Sequence, residues 1–351
     1  MLGGGSAGTS TGSGEGRDLT DVEKQRQERV YITRKYRQWH MKVVEHDKKQ
    51  HFMIRGFDAY ANALVAGWTT QDGTVASLRF GAVRAGFWDL LVNWHNTSSL
   101  KIDEKVMSTA MNMLDRYANK RYLSGLRSPT DYTALIIKKY YTAGLVCIHL
   151  AYMNDHIEHE YGVPAQRFSQ KFFTRQLRLM PSPSHWATHE ELQMTQIEVL
   201  HHLNYIVYYP SPFETVERYL TATGLKVSEE LKAYLHEKAQ FLLYLAFGSI
   251  RCTCQSTAQL ASMALHCAIR IAKNDPNIAT PRDLKLWPLE LADESMLTHS
   301  HVLWETGKKV MANLQVDQVK LDATLQRFRY TLETVRHVEA LLTQPLTRRA
   351  G

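Results

Sequence analysis

A chain of 351 residues with 44% apolar and 22% charged side chains has ordinary globular composition, which excludes a wholly disordered polymer. At roughly 100–200 residues per domain, the length allows two domains and at most three. Forty-two Lys and Arg against 35 Asp and Glu leave a net charge of +7, and four cysteines are too few for a disulfide scaffold.

Met1–Gly16 holds seven Gly and three Ser, so residues 1–17 are expected to be a flexible tail. Thr20-Asp21-Val22-Glu23 fits a capping box and predicts the start of a polar helix running to about Lys49, with Tyr31-Ile32-Thr33 as the place for a break. Between Arg17 and Gln50 ten basic residues stand against six acidic ones, over half of the chain's net charge. The acids are interleaved, so this arm reads as a solvated helix, or one docked on a partner protein, rather than a phosphate-tracking block. With its connecting segment it fills 18–76.

From Ser77 apolar residues recur at three- and four-residue spacing, broken by short Gly, Pro, Ser or Asn runs. Helices are predicted at about 78–95, 101–119, 130–154, 164–177 and 188–204. After Pro210-Ser211-Pro212 come others at about 213–222, 228–247, 256–273, 281–287 and 295–312, then a last amphipathic one near 316–343. Strand signals are nearly absent, and the flanks of Asp72-Gly73 do not alternate. In each set of five the middle helix is the most apolar, Ala134–Met153 and Thr257–Ala272. Such a helix is expected to be surrounded by its neighbours. The pattern predicts an all-α protein of two compact bundles, 77–209 and 210–313, with a C-terminal helix and tail at 314–351.

No membrane span is expected. Tyr140–Asn154 is charge-free for only 15 residues, short of the roughly 18 that a spanning helix requires. Cys252–Ile269 reaches 18, but Gln255, Ser256, Gln259, Ser262 and His266 interrupt it. No positive-then-apolar leader opens the chain, so a soluble protein of the nucleus or cytoplasm is expected. Cys252 and Cys254 form a lone Cys-x-Cys, and Cys147 and Cys267 sit in apolar runs; without two further ligands at zinc spacing, all four read as buried free thiols. His149, Asp155, His156, Glu158, His159 and Glu160 are dense, but they close a helix before Gly162 and Pro164. They read as a polar helix end facing water rather than a metal site, as do His185, His189, His201 and His202. No cofactor is expected. No Gly-x-Ser-x-Gly, phosphate loop or kinase signature supports an enzyme.

Four segments resemble the cyclin family in register over residues 80–220. Arg84-Ala85-Gly86-Phe87-Trp88-Asp89-Leu90-Leu91 resembles the first helix of the cyclin box, and Met113-Leu114-Asp115-Arg116-Tyr117 the second. Ile197–Tyr205 resembles the fifth, and Tyr209-Pro210-Ser211-Pro212-Phe213 with Tyr219-Leu220 the entry to a second box. The resemblance implies tandem five-helix boxes with Arg84, Asp89, Asp115 and Arg116 as scaffold, and a buried Arg84–Asp115 contact setting how the first two helices cross. It also implies a non-catalytic subunit that binds and activates a cyclin-dependent serine/threonine kinase, in cell-cycle progression or transcription.

Family members carry a Lys late in the third helix and a Glu in the fifth; here Met153 and Gln196 stand at those positions. Lys138, Lys139, Asp155 and Glu198 are candidate replacement contacts. The family's substrate patch falls on Val83, Gly86, Phe87 and Leu90, with Asn93 where an acid would hold an arginine, so docking by that route is not expected. A cyclin-fold transcription factor and a helical scaffold are the alternatives. No zinc ribbon precedes the boxes and the basic residues do not cluster on box helices, so direct nucleic-acid binding is not expected.

Overall fold

Short polar side chains set where the helices begin. In a computed structural model, described at residues 20–48, 68–69, 75–76, 80–97, 102–120, 134–159, 187–223, 227–247, 255–281, 284 and 325–344, the Thr20–Glu23 capping box forms. It opens α1, Asp21–Lys48, which runs unbroken through Tyr31-Ile32-Thr33. The same device opens α5 (His189–His202) with Thr188 and Glu191, and α8 (Thr257–Asn274) with Ser256 and Gln259. Each side chain accepts from a backbone N–H that the helix leaves unpaired. The remaining helices are α2 (Phe80–Thr97), α3 (Glu104–Ala118), α4 (Ala134–His159), α6 (Pro212–Thr223), α7 (Glu229–Phe247) and α9 (Leu332–Thr343).

The described part is all-helical but for one short ladder: Trp68–Thr69 (β1) pairs antiparallel with Val75–Ala76 (β2), Trp68 opposite Ala76. Strand pairing was not expected on either side of Asp72-Gly73, whose flanks do not alternate; Asp72 and Gly73 themselves lie outside the described residues. The long C-terminal helix expected at 316–343 is also corrected. Residues 325–328 are helical, Arg329 takes φ 54°, and Thr331 caps α9 anew. Tyr330 explains the break, since its hydroxyl meets both Glu237 and Lys238 of α7. The predicted helices at 164–177 and 295–312 lie outside the described residues. Of 281–287 only Pro281 and Leu284 are described, and the Leu284 N–H donates to the Pro281 carbonyl in a turn.

α2, α3 and α5 pack around α4, while α6, α7, α9 and α1 pack on α8. The helix expected at the centre of the second group is there. In the first group enclosure is shared between α4, buried throughout Tyr140–Ile148, and α3, buried throughout Val106–Ala118. The two groups do not keep separate cores: among the described residues the buried apolar side chains form one continuous cluster. Trp88 of α2 lies 5.5 Å from the Phe247 ring and 5.4 Å from that of Tyr244, both on α7. Ser108 of α3 and Ser211 before α6 share a 2.8 Å hydrogen bond. α9 is moored by α8, where Asn274 Nδ2 donates to the Leu341 carbonyl at 2.6 Å and Arg270 to that of Gln344 at 3.1 Å. These donors satisfy carbonyls that the end of α9 leaves open.

Candidate functional site

Arg84 and Asp115, expected to meet, form a bidentate pair in the core. Arg84 Nε donates to Asp115 Oδ1 at 2.8 Å and Nη2 to Oδ2 at 2.9 Å, both side chains 1% exposed. The third donor group, Nη1, reaches the Phe247 carbonyl at 2.9 Å. One guanidinium therefore joins α2, α3 and the end of α7, with its planar fork matched to the carboxylate. Arg116 is also buried and donates to the Ile206 carbonyl at 3.2 Å; burial pulls its pKa down to about 10, so it stays charged at neutral pH. Asp89 is half-buried on α2.

The three docking-patch candidates face the protein. Phe87 is fully buried, edge-on to Tyr141 at 6.0 Å and Tyr140 at 6.4 Å, so its ring has no surface left for a substrate. It also lies over Gly144, where any Cβ would overlap the ring. Val83 and Leu90 are partly buried against the same core, Gly86 is half-buried, and Asn93 is exposed.

The candidate kinase contacts divide. Lys138 is engaged within the chain, its Nζ 2.7 Å from Glu191 Oε1, tying α4 to the start of α5. That hydrogen bond, together with the Thr188 cap, holds the Glu191 carboxyl below its ordinary pKa. Asp155, expected to face water, is buried and pairs with Lys105 of α3 at 2.7 Å. Lys139 is exposed; Met153, Gln196 and Glu198 are half-buried on α4 and α5.

Sequence reasoning missed two exposed apolar residues on α5 and a third just past its end. Met194 is 63% exposed, Ile197 61% and Tyr205 68%, where solvent would favour polar groups. Below them α5 ends through two consecutive left-handed residues, Asn204 at φ 51° and Tyr205 at φ 59°, with the Tyr205 N–H donating to the Leu200 carbonyl at 2.8 Å. Such a backbone costs of order 1–3 kcal/mol per non-glycine residue, and the tyrosine it carries is exposed. The signal was the Met194-x-x-Ile197 spacing, which sets both residues on one helix face.

The histidines differ from expectation at two positions. His149 is half-buried and its pKa is lowered by burial, while His202 packs edge-on to Tyr117 at 5.4 Å and bonds the Glu198 carbonyl through Nδ1 at 2.8 Å. His189 and His201 are exposed. Among the described residues no three His, Cys, Asp or Glu are grouped so as to hold a metal. Cys147 and Cys267 are free and buried, with burial pushing the Cys267 thiol up to about 12; Cys252, Cys254 and His185 lie outside the described residues. No described helix is long and apolar enough to cross a membrane.

No protein-family model matches this sequence, and no curated protein matches it.

Proposed function

We propose that this chain is a cyclin-like regulatory subunit, non-catalytic and built of two five-helix boxes at 77–209 and 210–313, that binds and activates a cyclin-dependent-type serine/threonine kinase. The kinase docks on α4 and α5, and the observation that carries the reading is the exposed stripe Met194–Ile197, with Tyr205 beyond it. An exposed apolar stripe rimmed by polar residues is what an interface core needs before its partner covers it. Lys139, Met153, Gln196 and Glu198 are the further contacts proposed on the same two helices, while Lys138 and Asp155 brace the helices from within through Glu191 and Lys105. The exposed face of α1, with Val30, Tyr31, Arg34 and Met41, is the second surface offered to the kinase.

The subunit contributes no reacting group. Its surface binds the inward position of the kinase's regulatory helix better than the outward one, which favours the lysine–glutamate pair that holds ATP. The protein works in the nucleus or cytoplasm, in cell-cycle control or transcription.

Affinity purification of the tagged chain should recover a protein kinase at equal stoichiometry, and mass spectrometry identifies it. Ile197→Glu should weaken that recovery by more than about 30-fold, the effect of losing an interface anchor of about 2 kcal/mol, with an unchanged melting curve. Full recovery with Ile197→Glu and Gln196→Lys combined would remove α5 from the interface. Retention on duplex DNA with a steep salt slope would favour a cyclin-fold transcription factor instead.

A further inference from the structure

We propose that the exposed face of α5 binds the same face of a second copy of this chain, the two helices running antiparallel about a two-fold axis. Four residues define that face. Glu190, Met194, Ile197 and His201 are all exposed and follow one another at spacings of four, three and four residues. That is the spacing by which one side of a helix meets another helix along a seam. Over about 16 Å of helix, at roughly 1.5 Å per residue, it sets two apolar side chains between one carboxylate and one imidazole.

The order of the four residues selects the occupant. Laid antiparallel on a second copy, with the axis between Met194 and Ile197, the face matches itself at every position. Met194 meets Ile197 of the second copy, Ile197 meets Met194, and Glu190 at one end meets His201 at the other. Each position is used twice, as a two-fold interface requires. The apolar pairs leave water at the centre, and each end sets a carboxylate acceptor against an imidazole N–H donor. A parallel pairing fails on the same residues, since it sets Glu190 against Glu190.

Among the described residues nothing competes for the two polar ends. Neither Glu190 nor His201 has a side-chain hydrogen bond or ion pair there, and the His201 ring meets that of His202 at 6.2 Å. The adjacent Glu191 is already held by Thr188 and Lys138, which fixes the start of α5. At the other end Lys120 of α3 donates to the His202 carbonyl at 2.6 Å, and the His202 ring packs on Tyr117. The face is thus carried on a helix braced at both ends, so little order has to be gained on docking. One helix pair is a small interface, which makes the dimer reversible and concentration-dependent. It covers the stripe assigned above to the kinase, and only the consequence that dimer and kinase complex exclude each other rests on that reading.

The test is sedimentation velocity of the purified full chain with no kinase present. It should show a monomer–dimer equilibrium over roughly 1–100 μM. Ile197→Glu puts a carboxylate against Met194 in both halves of the interface and should weaken dimerisation at least about thirtyfold. Glu190→Lys should weaken it several-fold. Adding His201→Glu to that variant should restore it, because the exchange leaves opposite charges facing at each end. Glu217→Lys, the same charge change at an exposed position of α6, should have no effect. All these positions are exposed, and circular dichroism checks that each variant keeps the wild-type helix content. A chain that stays monomeric up to about 100 μM, a dimer indifferent to Ile197→Glu, or a failure of His201→Glu to rescue Glu190→Lys would overturn the proposal. A monomer that still recovers a kinase would overturn it while leaving the kinase reading intact.

Discussion

Arg84 sits among apolar neighbours with its charge fully out of water, and it is tolerated because each face of its guanidinium fork has an acceptor. Taking ions out of water costs several kcal/mol each, so the pair is a geometric lock more than a net source of stability. Arg84→Met alone should therefore be severe, about 3–5 kcal/mol, because it strands a buried Asp115 carboxylate. Arg84→Met with Asp115→Leu should recover most of that loss, since the buried charge disappears with its partner. Urea unfolding midpoints of the two variants check this, and equal destabilisation by both would show that the Phe247 carbonyl, not the carboxylate, is what needs the arginine. The pairing of Arg84 with Asp115 was legible in the sequence through the resemblance. The third partner was not, because a carbonyl 163 positions away leaves no mark in a local motif.

At the scale of elements, α4 and α5 show how much a helix pair depends on its ends. Thr188 and Glu191 cap α5, and Glu191 also receives Lys138 from α4, so one carboxylate ends a helix and joins two. Its pKa is depressed in the folded chain below an ordinary value of 4.5. The folded state thus prefers the ionised form, and the resulting stability is present above that value and fades as pH falls through the lowered one. Glu191 is well exposed, so solvent screening keeps the effect small, under about 1 kcal/mol. Glu191→Gln should lower the thermal midpoint modestly at pH 7, and its difference from wild type should shrink as the pH is taken below 4.5. A difference that grows in acid would reverse the sign assigned to this pair. The cap was readable from Thr188-x-x-Glu191, but the Lys138 contact needed α4 and α5 to be laid side by side.

For the whole molecule, two compact bundles were expected, each around a central helix, and among the described residues their buried apolar side chains form one cluster. Trp88 is the joint: it belongs to the first group, yet its ring stacks on Phe247 and meets Tyr244 edge-on, both of the second. Tyr244 in turn donates to Met107 Sδ at 3.7 Å on α3. A shared core predicts one cooperative transition, with far-ultraviolet circular dichroism and tryptophan fluorescence falling together. Trp88→Ala should cost about 3–5 kcal/mol by opening a cavity at the joint, and two separated transitions in the wild type would show the groups to be independent.

The amino-acid sequence by itself determined most of the described helices and their order from Asp21–Lys48 to Thr257–Asn274, because 3.6-residue periodicity, Thr and Ser caps and proline breaks act within a few residues of one another. It determined the all-helical class for the same reason. Only the tertiary structure decided which polar residues are inside. The Arg84–Asp115 contact was expected inside, but that Ser108 and Asn112 are buried along the same helix was not, since α3 is covered by helices from both halves of the chain. Phe87 points the other way in both senses: a candidate docking residue by position, it is sealed beneath Tyr140 and Tyr141 over Gly144. Met194 and Ile197 are left in the open while Asp155 is drawn in. Burial depends on what arrives from distant parts of the chain, and a local pattern contains no record of its neighbours.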